Sequence, residues 1–428
     1  MRVLITGANG FIGSHITGRL LAAGHEVIAA VRSPAEMVRR FPKAQTIYCD
    51  MVTDIRSDSW LPRLKNIDVV INCAGVLQAA AGEMEAVHFQ APRALFDACV
   101  TAGIKRVIQI SALGADQQAE TIYSQSKKKA DDYLRGLDLD WVILQPSLVY
   151  ATGSYGGSSL FRGLASLPCF IFLPGDGQQA FQPIWIDDLT QTIGKLVESH
   201  QIKKQVLTPA GPESVTLATL LTRLRSWLGF SPAKLIAIPK GLIKITAQLG
   251  DLLHAKTLNS TAYRMLEYGN TCNPEPFIRT IGFTPLTMEQ ALSLHPAHVQ
   301  DRWHARLYFL RPLLRYSLAI VWFASGIIGL LHPFSETSTL LGHLGLPVPW
   351  HVTALYTSCF IDIIIGVLLL FNWRPTLLAI AQLLVILVYT TIFSFVQPGL
   401  WFDLFGPLLK NIPMAVAILF SMAIADDR

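Results

Sequence analysis

The eighteen residues from Ala379 to Val396, "AIAQLLVILVYTTIFSFV", carry no charged side chain. Backbone placed in hydrocarbon must satisfy its own amide and carbonyl groups, so a run of this polarity and length calls for a helix. Companion stretches lie on either side of it. Four apolar segments run about Leu313 to Leu331, Val352 to Phe371, Thr376 to Val396 and Pro407 to Ile424. Each approaches the roughly 20 residues that a helix needs to cross about 30 Å of hydrocarbon. None has the polar stripe of a helix that faces water on one side. Four membrane spans are therefore expected, in a region covering residues 301–428.

The placement of Lys and Arg orients those spans. Arg302, Arg306, Arg311 and Arg315 precede the first, and Arg374 lies between the second and third. The intervening "HPFSETSTLLGHLGLPVPW" and "QPGLWFD" have neither Lys nor Arg. Basic residues stay on the cytoplasmic side, which puts the N-terminal part, the middle turn and Arg428 there. The N-terminus runs almost directly into an apolar β-type stretch, with no secretory leader pattern. A multi-pass protein of the inner, cytoplasmic membrane is expected.

Composition agrees and narrows the partners. Of 428 residues, 51% are apolar and only 15% charged, with a net charge of +5. So thin an excess forms no basic patch of the kind that binds nucleic acid. The six cysteines are scattered, with no Cys-x-x-Cys and no His at ligand spacing, so neither a metal site nor a disulfide framework is expected. Nothing in the sequence sets an oligomeric state.

The first third of the chain has a different rhythm. "RVLIT", "HEVIAAV", "AQTIYC", "DVVINCAG", "RVIQIS" and "DWVILQP" alternate with amphipathic stretches such as "GSHITGRLLAAG" and "YSQSKKKADDYLRG". Apolar runs of this kind, separated by helices, predict βαβ units and a parallel sheet buried on both faces. The expected fold is a doubly wound α/β Rossmann domain over residues 1–150. A smaller interleaved lobe, rich in Pro and Gly punctuation, follows over 151–300 and closes a cleft at the carboxyl ends of the strands.

Between the first strand and the first helix stands "TGANGFIG". Gly7 permits a tight turn, Gly10 allows backbone to approach a pyrophosphate, and Gly13 allows close helix packing, while the helix N-terminus offers unpaired N–H groups to phosphate. The candidate cofactor residues here are Thr6, Gly7, Asn9, Gly10, Phe11, Ile12 and Gly13. The second strand ends in Arg32, where an NAD site places an acid. A cation there favours a 2′-phosphate, hence NADP(H), with NAD(H) as the alternative. Asp50 and Met51 follow the third strand and are expected to border the adenine. Cys73, Ala74 and Gly75 follow the fourth and line the cleft.

"YSQSK" puts Tyr123 and Lys127 four residues apart on one helix face. A phenol beside an ammonium is drawn toward phenolate and toward use as a general acid or base. Beyond Lys127, "SKKKADD" reads as a solvated face. Asp187 and Asp188 in "PIWIDDL" read as a helix-opening acidic pair with a structural role. Asp362, alone among apolar neighbours within a span, is the intramembrane residue singled out for function.

In "TGANGFIG", "NCAG", "YSQSK", "QPSLVY" and "FQPIWIDDL", from Met1 to about Leu292, the chain resembles the short-chain dehydrogenase/reductases in their extended or atypical branch. It is similar to the subgroup containing the nucleotide-binding accessory subunit of respiratory complex I. The membrane part, with "GPLLKN", resembles DoxX-like four-helix domains. The resemblance implies Tyr123, Lys127 and Ser111 as catalytic residues and adds Pro146 to the cofactor set. Two departures accompany it. The family's Ser or Thr aligns with Ala112, leaving Ser111 one residue early, and a family asparagine is replaced by His88. A lone helix-face histidine is more often structural than a proton relay.

The expected activity is oxidoreduction of a carbonyl or alcohol in a lipophilic, quinone-like substrate. The alternatives are a non-catalytic NADP(H)-binding assembly or redox-sensing subunit, and a nucleotide-sugar epimerase or dehydratase.

Overall fold

The computed structural model describes residues 1–77, 79–115, 121–199, 201–252, 260–343, 345–404 and 406–425. Arg428, used above for orientation, lies outside the described residues. The chain divides into two compact units, Met1–Ala305 and Arg306–Arg428.

The first unit is built on seven strands: β1 (Arg2–Thr6), β2 (Glu26–Val31), β3 (Gln45–Tyr48), β4 (Val69–Asn72), β5 (Arg106–Ile110), β6 (Asp140–Leu144) and β7 (Gln205–Leu207). They form one parallel sheet in the order β7-β6-β5-β4-β1-β2-β3. Side chains alternate across a strand, and here both faces are covered. Val3, Ile5, Val27, Ala29, Val69, Ile71, Val142 and Leu144 enter one core. Leu4, Ile28, Ala30, Val70, Val107 and Ile143 enter a second. This is the doubly wound fold that the alternating pattern predicts.

Five helices matter for the site and its surroundings: α1 (Phe11–Ala22), α2 (Pro34–Arg40), α3 (Ala91–Ala102), α4 (Ile122–Arg135) and α5 (Ile186–Glu198). Three short strand pairs make up the lobe. Val149–Tyr150 runs parallel to Ile184–Trp185, Ala180–Phe181 antiparallel to Val215–Thr216, and Phe170–Pro174 parallel to Lys234–Ile238. Helix α6 (Lys240–Leu252) follows the last of these. Phe161, Phe181, Trp185, Leu220 and Phe277 of the lobe share the core of the first sheet face. The lobe also lends the sheet β7, which pairs with β6 from well past residue 150.

A buried arginine at the start of β5 ties these parts together. Arg106 donates to the carbonyls of Leu196 (2.6 Å), Ser199 (3.0 Å) and Ile202 (2.5 Å), at and just beyond the end of α5. Carbonyls orphaned at a helix C-terminus are satisfied by a cation that the helix dipole also favours. At the other end of α5, Asp187 accepts from the Trp185 indole (2.9 Å) and Asp188 from the Leu286 amide (2.9 Å). Asp187 is thus engaged by a neighbouring indole and Asp188 ties the start of α5 to the Leu286 backbone.

The second region contains α7 (Val299–Leu331), α8 (Phe334–His343), α9 (His351–Leu370), α10 (Pro375–Val396) and α11 (Asn411–Ala423). Among the described residues, three helices, α7, α9 with the turn before it, and α10, are long and apolar enough to cross a membrane. The fourth expected span differs. Its helix, α11, has 13 residues, about 20 Å at the α-helical rise. A left-handed Gly406 (φ 48°) precedes the stretch that the sequence assigned to it, and a turn over 407–410 occupies its beginning. The connection after α7 is also not a plain loop, since "FSETSTLLGH" folds as α8 with Glu336 in its first turn, where a carboxylate is favourable.

Small residues let α7 and α9 approach closely. A Cβ on Gly326 would lie 2.7 Å from the Cys359 carbonyl, and one on Gly329 would lie 2.6 Å from the Cys359 sulfur. Helices in lipid associate through such contacts and through hydrogen bonds between them. Ser325 donates to the buried Asp362 carboxylate (2.6 Å), and the Trp322 indole donates to Gln382 of α10 (2.9 Å).

Candidate active site

The glycine loop has the shape of a phosphate cradle. Gly7 lies in the left-handed region (φ 63°), and the Gly10 amide donates to its carbonyl (2.9 Å). A Cβ on Gly7 would lie 3.0 Å from the backbone of Ala74, one on Gly10 would be 3.1 Å from the Gly7 carbonyl, and one on Gly13 would be 2.3 Å from that same oxygen. Side chains at these positions would fill the cradle or break it. Helix α1 starts at Phe11 with no side-chain cap and no acid in its first turn, leaving N–H groups and the positive dipole end for an anion. These residues fit the pyrophosphate of a dinucleotide.

Under the loop runs a buried polar ladder. Thr6 donates to Asn72 (2.5 Å), and Asn72 donates to Gln109 (2.7 Å), joining the carboxyl ends of β1, β4 and β5. Thr6 is fully buried. The expected cofactor contact is thereby corrected, because Thr6 shapes the floor from below. Met51 is corrected as well. Its side chain sits in the second core, its sulfur 3.9 Å from Cys49. Asp50 is half-buried and spends one carboxylate oxygen on the Val52 amide (3.1 Å), closing its own turn.

Arg32 is exposed just after β2. A second cation, which the sequence reading did not single out, comes from the end of α2. Arg40 donates to the Asn9 carbonyl (3.4 Å) inside the glycine loop. Phe11 stacks on Tyr155 of the lobe (ring centroids 4.8 Å) and Ile12 is half-buried beside it. Pro146 is buried, and its carbonyl accepts from the Leu113 amide (3.0 Å).

Helix α4 is capped by Thr121, whose hydroxyl accepts from the Ser124 amide (3.1 Å). It carries Lys127 into the gap between β4 and β5. There the ammonium donates to the carbonyls of Ile110 (3.0 Å) and Ala74 (3.4 Å). Gly75 must stay small, since a Cβ there would lie 3.2 Å from the Lys127 nitrogen. Burial lowers the Lys127 pKa, while the charge of Asp131 opposes the shift. Tyr123 is half-buried, its phenol pushed up to about 12 by burial and then by Asp131. The expectation that Lys127 draws this phenol toward phenolate is therefore corrected. The ammonium is committed to backbone carbonyls, and the phenol is neutral at pH 7, a donor. Beside them, burial pushes the half-buried Cys73 thiol up to about 12, which makes it a poor nucleophile.

His88 projects from a π-helical turn, Ala86–Gln90, that leads into α3; such turns recur at functional sites. Its Nε2 accepts from the Val76 amide (2.9 Å), so Nδ1 carries the proton and donates to Ser126 (2.8 Å). Ser126 in turn donates to the Tyr123 carbonyl (2.9 Å). Burial and the Lys127 charge lower the His88 pKa to about 3. A neutral imidazole thus pins the loop after β4 to the helix bearing Tyr123, with the ring of Tyr123 edge-on at 5.3 Å.

Ser111 is engaged by a partner other than Tyr123. Its hydroxyl donates to Asp131 (2.5 Å), which also accepts from the Gln145 amide (3.4 Å). The substrate-orienting role implied for Ser111 is corrected on this geometry. The solvated reading of "KKKADD" holds for Lys128, Lys129 and Asp132, which form surface ion pairs. It fails for Asp131, which is fully buried. The missed signal was its spacing, one helical turn beyond Lys127 on the same face.

The fold and the cradle define an NAD(P)H-binding Rossmann domain. Residues 7–160 match the NAD(P)H-binding family, and residues 319–419 match the DoxX-like family. The chain is 31% identical over 172 residues to "Ceramide reductase" of Caulobacter vibrioides, an alignment covering 39% of this chain and 52% of that protein. It is 28% identical over 145 residues to "Photosystem II assembly factor Ycf39" of Synechocystis, covering 34% of this chain and 44% of that one. The chain thus spans about half the length of these curated relatives. In structure it is similar to the Thermus thermophilus UDP-glucose 4-epimerase complex with NAD (TM-score 0.53, 19% identity), over 72% of this chain and 99% of that one. The likeness is one of fold. The DoxX-like region and the three long apolar helices associate the chain with a lipid bilayer.

Proposed function

We propose that the protein is a membrane-anchored oxidoreductase of the short-chain dehydrogenase type. It uses NADP(H) to interconvert a carbonyl and an alcohol in a lipophilic, quinone-like or lipid substrate. The observation that carries this reading is Tyr123 on the same helix as Lys127, whose side-chain nitrogen is fixed by the Ile110 and Ala74 carbonyls. When bound, the dinucleotide supplies hydride transfer at the substrate carbon. Tyr123 gives its proton to the substrate oxygen in reduction and takes it back in oxidation. Lys127 holds the Ala74 and Ile110 carbonyls, and with them the ends of β4 and β5, in place beside the cleft. The amides at the start of α1 hold the pyrophosphate, with Arg32 and Arg40 at the 2′-phosphate.

The name of the ceramide reductase supports a lipid-type substrate, as does the attachment of the domain to apolar helices. The arginine placement supports an inner membrane with the nucleotide domain on the cytoplasmic side.

A second reading makes the chain a nucleotide-binding assembly subunit. The engagement of Ser111 with Asp131 favours it, because no hydroxyl from that position assists Tyr123, and the named role of Ycf39 is of this kind. Transfer of deuteride from labelled NADPH to a panel of ketones, quinones and ceramide-like lipids separates the two. Reduction of one substrate by the parent, lost in Tyr123→Phe and Lys127→Met with dinucleotide binding retained in Tyr123→Phe, supports the enzyme. Retained binding with no transfer to any compound supports the assembly subunit.

A further inference from the structure

We propose that α6 and the strand pair before it form a surface that lies on a lipid bilayer, with anionic headgroups its charge complement. The helix is held down by one side only. Ala247 is buried, while Leu242 and Ile245 are 51% and 55% exposed. At about 100° per residue these two project roughly 140° and 160° away from Ala247. A helix facing water puts polar side chains there. Two branched aliphatic residues stand there instead. Lys240 and Lys244, one turn apart and both exposed, flank them. Long aliphatic stems let such lysines lie along an apolar layer with the ammonium in the headgroup region.

The neighbouring strands extend the apolar surface. Phe170 and Phe172 are exposed on one face of the pair Phe170–Pro174 and Lys234–Ile238, with Lys234 in register with Phe170. The Gly175 amide donates to the Ile238 carbonyl (2.9 Å), and the Lys240 side chain passes 3.5 Å from where a Gly175 Cβ would be. Strand pair and helix therefore make one corner. Its cations are Lys234, Lys240 and Lys244, with Glu267 3.8 Å from Lys240.

Two observations commit this surface to lipid over another protein. Aliphatic and phenylalanine side chains rimmed by lysine are the composition of interfacial elements. The chain also continues into long apolar helices, which tether the first unit to a bilayer.

The test uses the full chain in liposomes of phosphatidylcholine mixed with phosphatidylglycerol. A photo-crosslinking benzoylphenylalanine replaces Leu242 or Ile245 in turn, with Val100, an exposed apolar residue of α3, as the control position. Lipid adducts several-fold above the Val100 control are expected at both sites. Adding Lys240→Glu or Lys244→Glu is expected to cut them about fivefold per lysine. Adducts no more abundant than at Val100, or crosslinks to a second copy of the chain in place of lipid, overturn the proposal. The readout needs no turnover, so it stands or falls apart from the catalytic reading.

Discussion

The Ser111 hydroxyl at the end of β5 donates to the Asp131 carboxylate in the middle of α4, 2.5 Å away. Asp131 is buried one helical turn beyond Lys127, and its charge opposes the loss of the Lys127 proton. Breaking a buried charge pair costs about 3 kcal/mol or more, because the partner stays buried and uncompensated. Asp131→Asn is therefore expected to lower the thermal midpoint of the detergent-extracted protein markedly, and Ser111→Ala to lower it less, at a cost of about 1–2 kcal/mol in stability. Since Asp131 also raises the Tyr123 pKa, Asp131→Asn should move the alkaline limb of any pH–rate profile to lower pH. Parent-like stability in Asp131→Asn would remove the charge pairing.

His88 makes the fold acid-sensitive. Its pKa is about 3 in the folded chain against 6.5 ordinarily. Below 6.5 the unfolded chain binds a proton that the folded chain refuses, so the contribution is complete above 6.5 and is lost as pH falls toward 3. Melting of the parent and of His88→Asn should differ most near about pH 7 and converge near about pH 4. A gap that stays constant across this range contradicts the neutral, doubly bonded imidazole.

Arg32 and Arg40 should decide between dinucleotides. Arg32→Glu and Arg40→Glu are each expected to weaken NADPH binding about tenfold, as loss of a charge-assisted hydrogen bond does, and to leave NADH nearly unchanged. Fluorescence titration with both nucleotides measures this directly. Equal losses for the two would take the 2′-phosphate away from these residues.

Close packing should outweigh polar contacts between α7 and α9. Gly326→Val drives a side chain into the Cys359 carbonyl and Ile363, an overpacking cost of about 1–3 kcal/mol. Ser325→Ala loses one interhelical hydrogen bond, worth about 0.6 kcal/mol in membranes. Thermal scanning of both variants in detergent should rank Gly326→Val as clearly the less stable, and the reverse order would refute the glycine argument.

What could be read from the chain was local. Strands β1 to β6 announce themselves by apolar runs between helices, and the glycine loop by spacing alone. Tyr123 and Lys127 share a face because of helical period. The direction in which Ser111 turns is not local, since it depends on an acid twenty residues later that the fold buries. Nor is Arg106 legible as a tie to α5, because its acceptors are carbonyls some ninety residues away. The shortness of α11 was hidden for another reason. Hydropathy registers what lipid would accept, and a turn of apolar residues scores as highly as a helix.

The seventh strand has a consequence for how the molecule is made. A nascent chain released as far as β6 has that strand at one edge of its sheet, and only some sixty residues later does β7 arrive to pair with it. Until then the guanidinium of Arg106 has no helix end to grip. The lobe is thus the step that seals the nucleotide domain during synthesis, and it leaves the ribosome before the long apolar helices that the insertion machinery must handle.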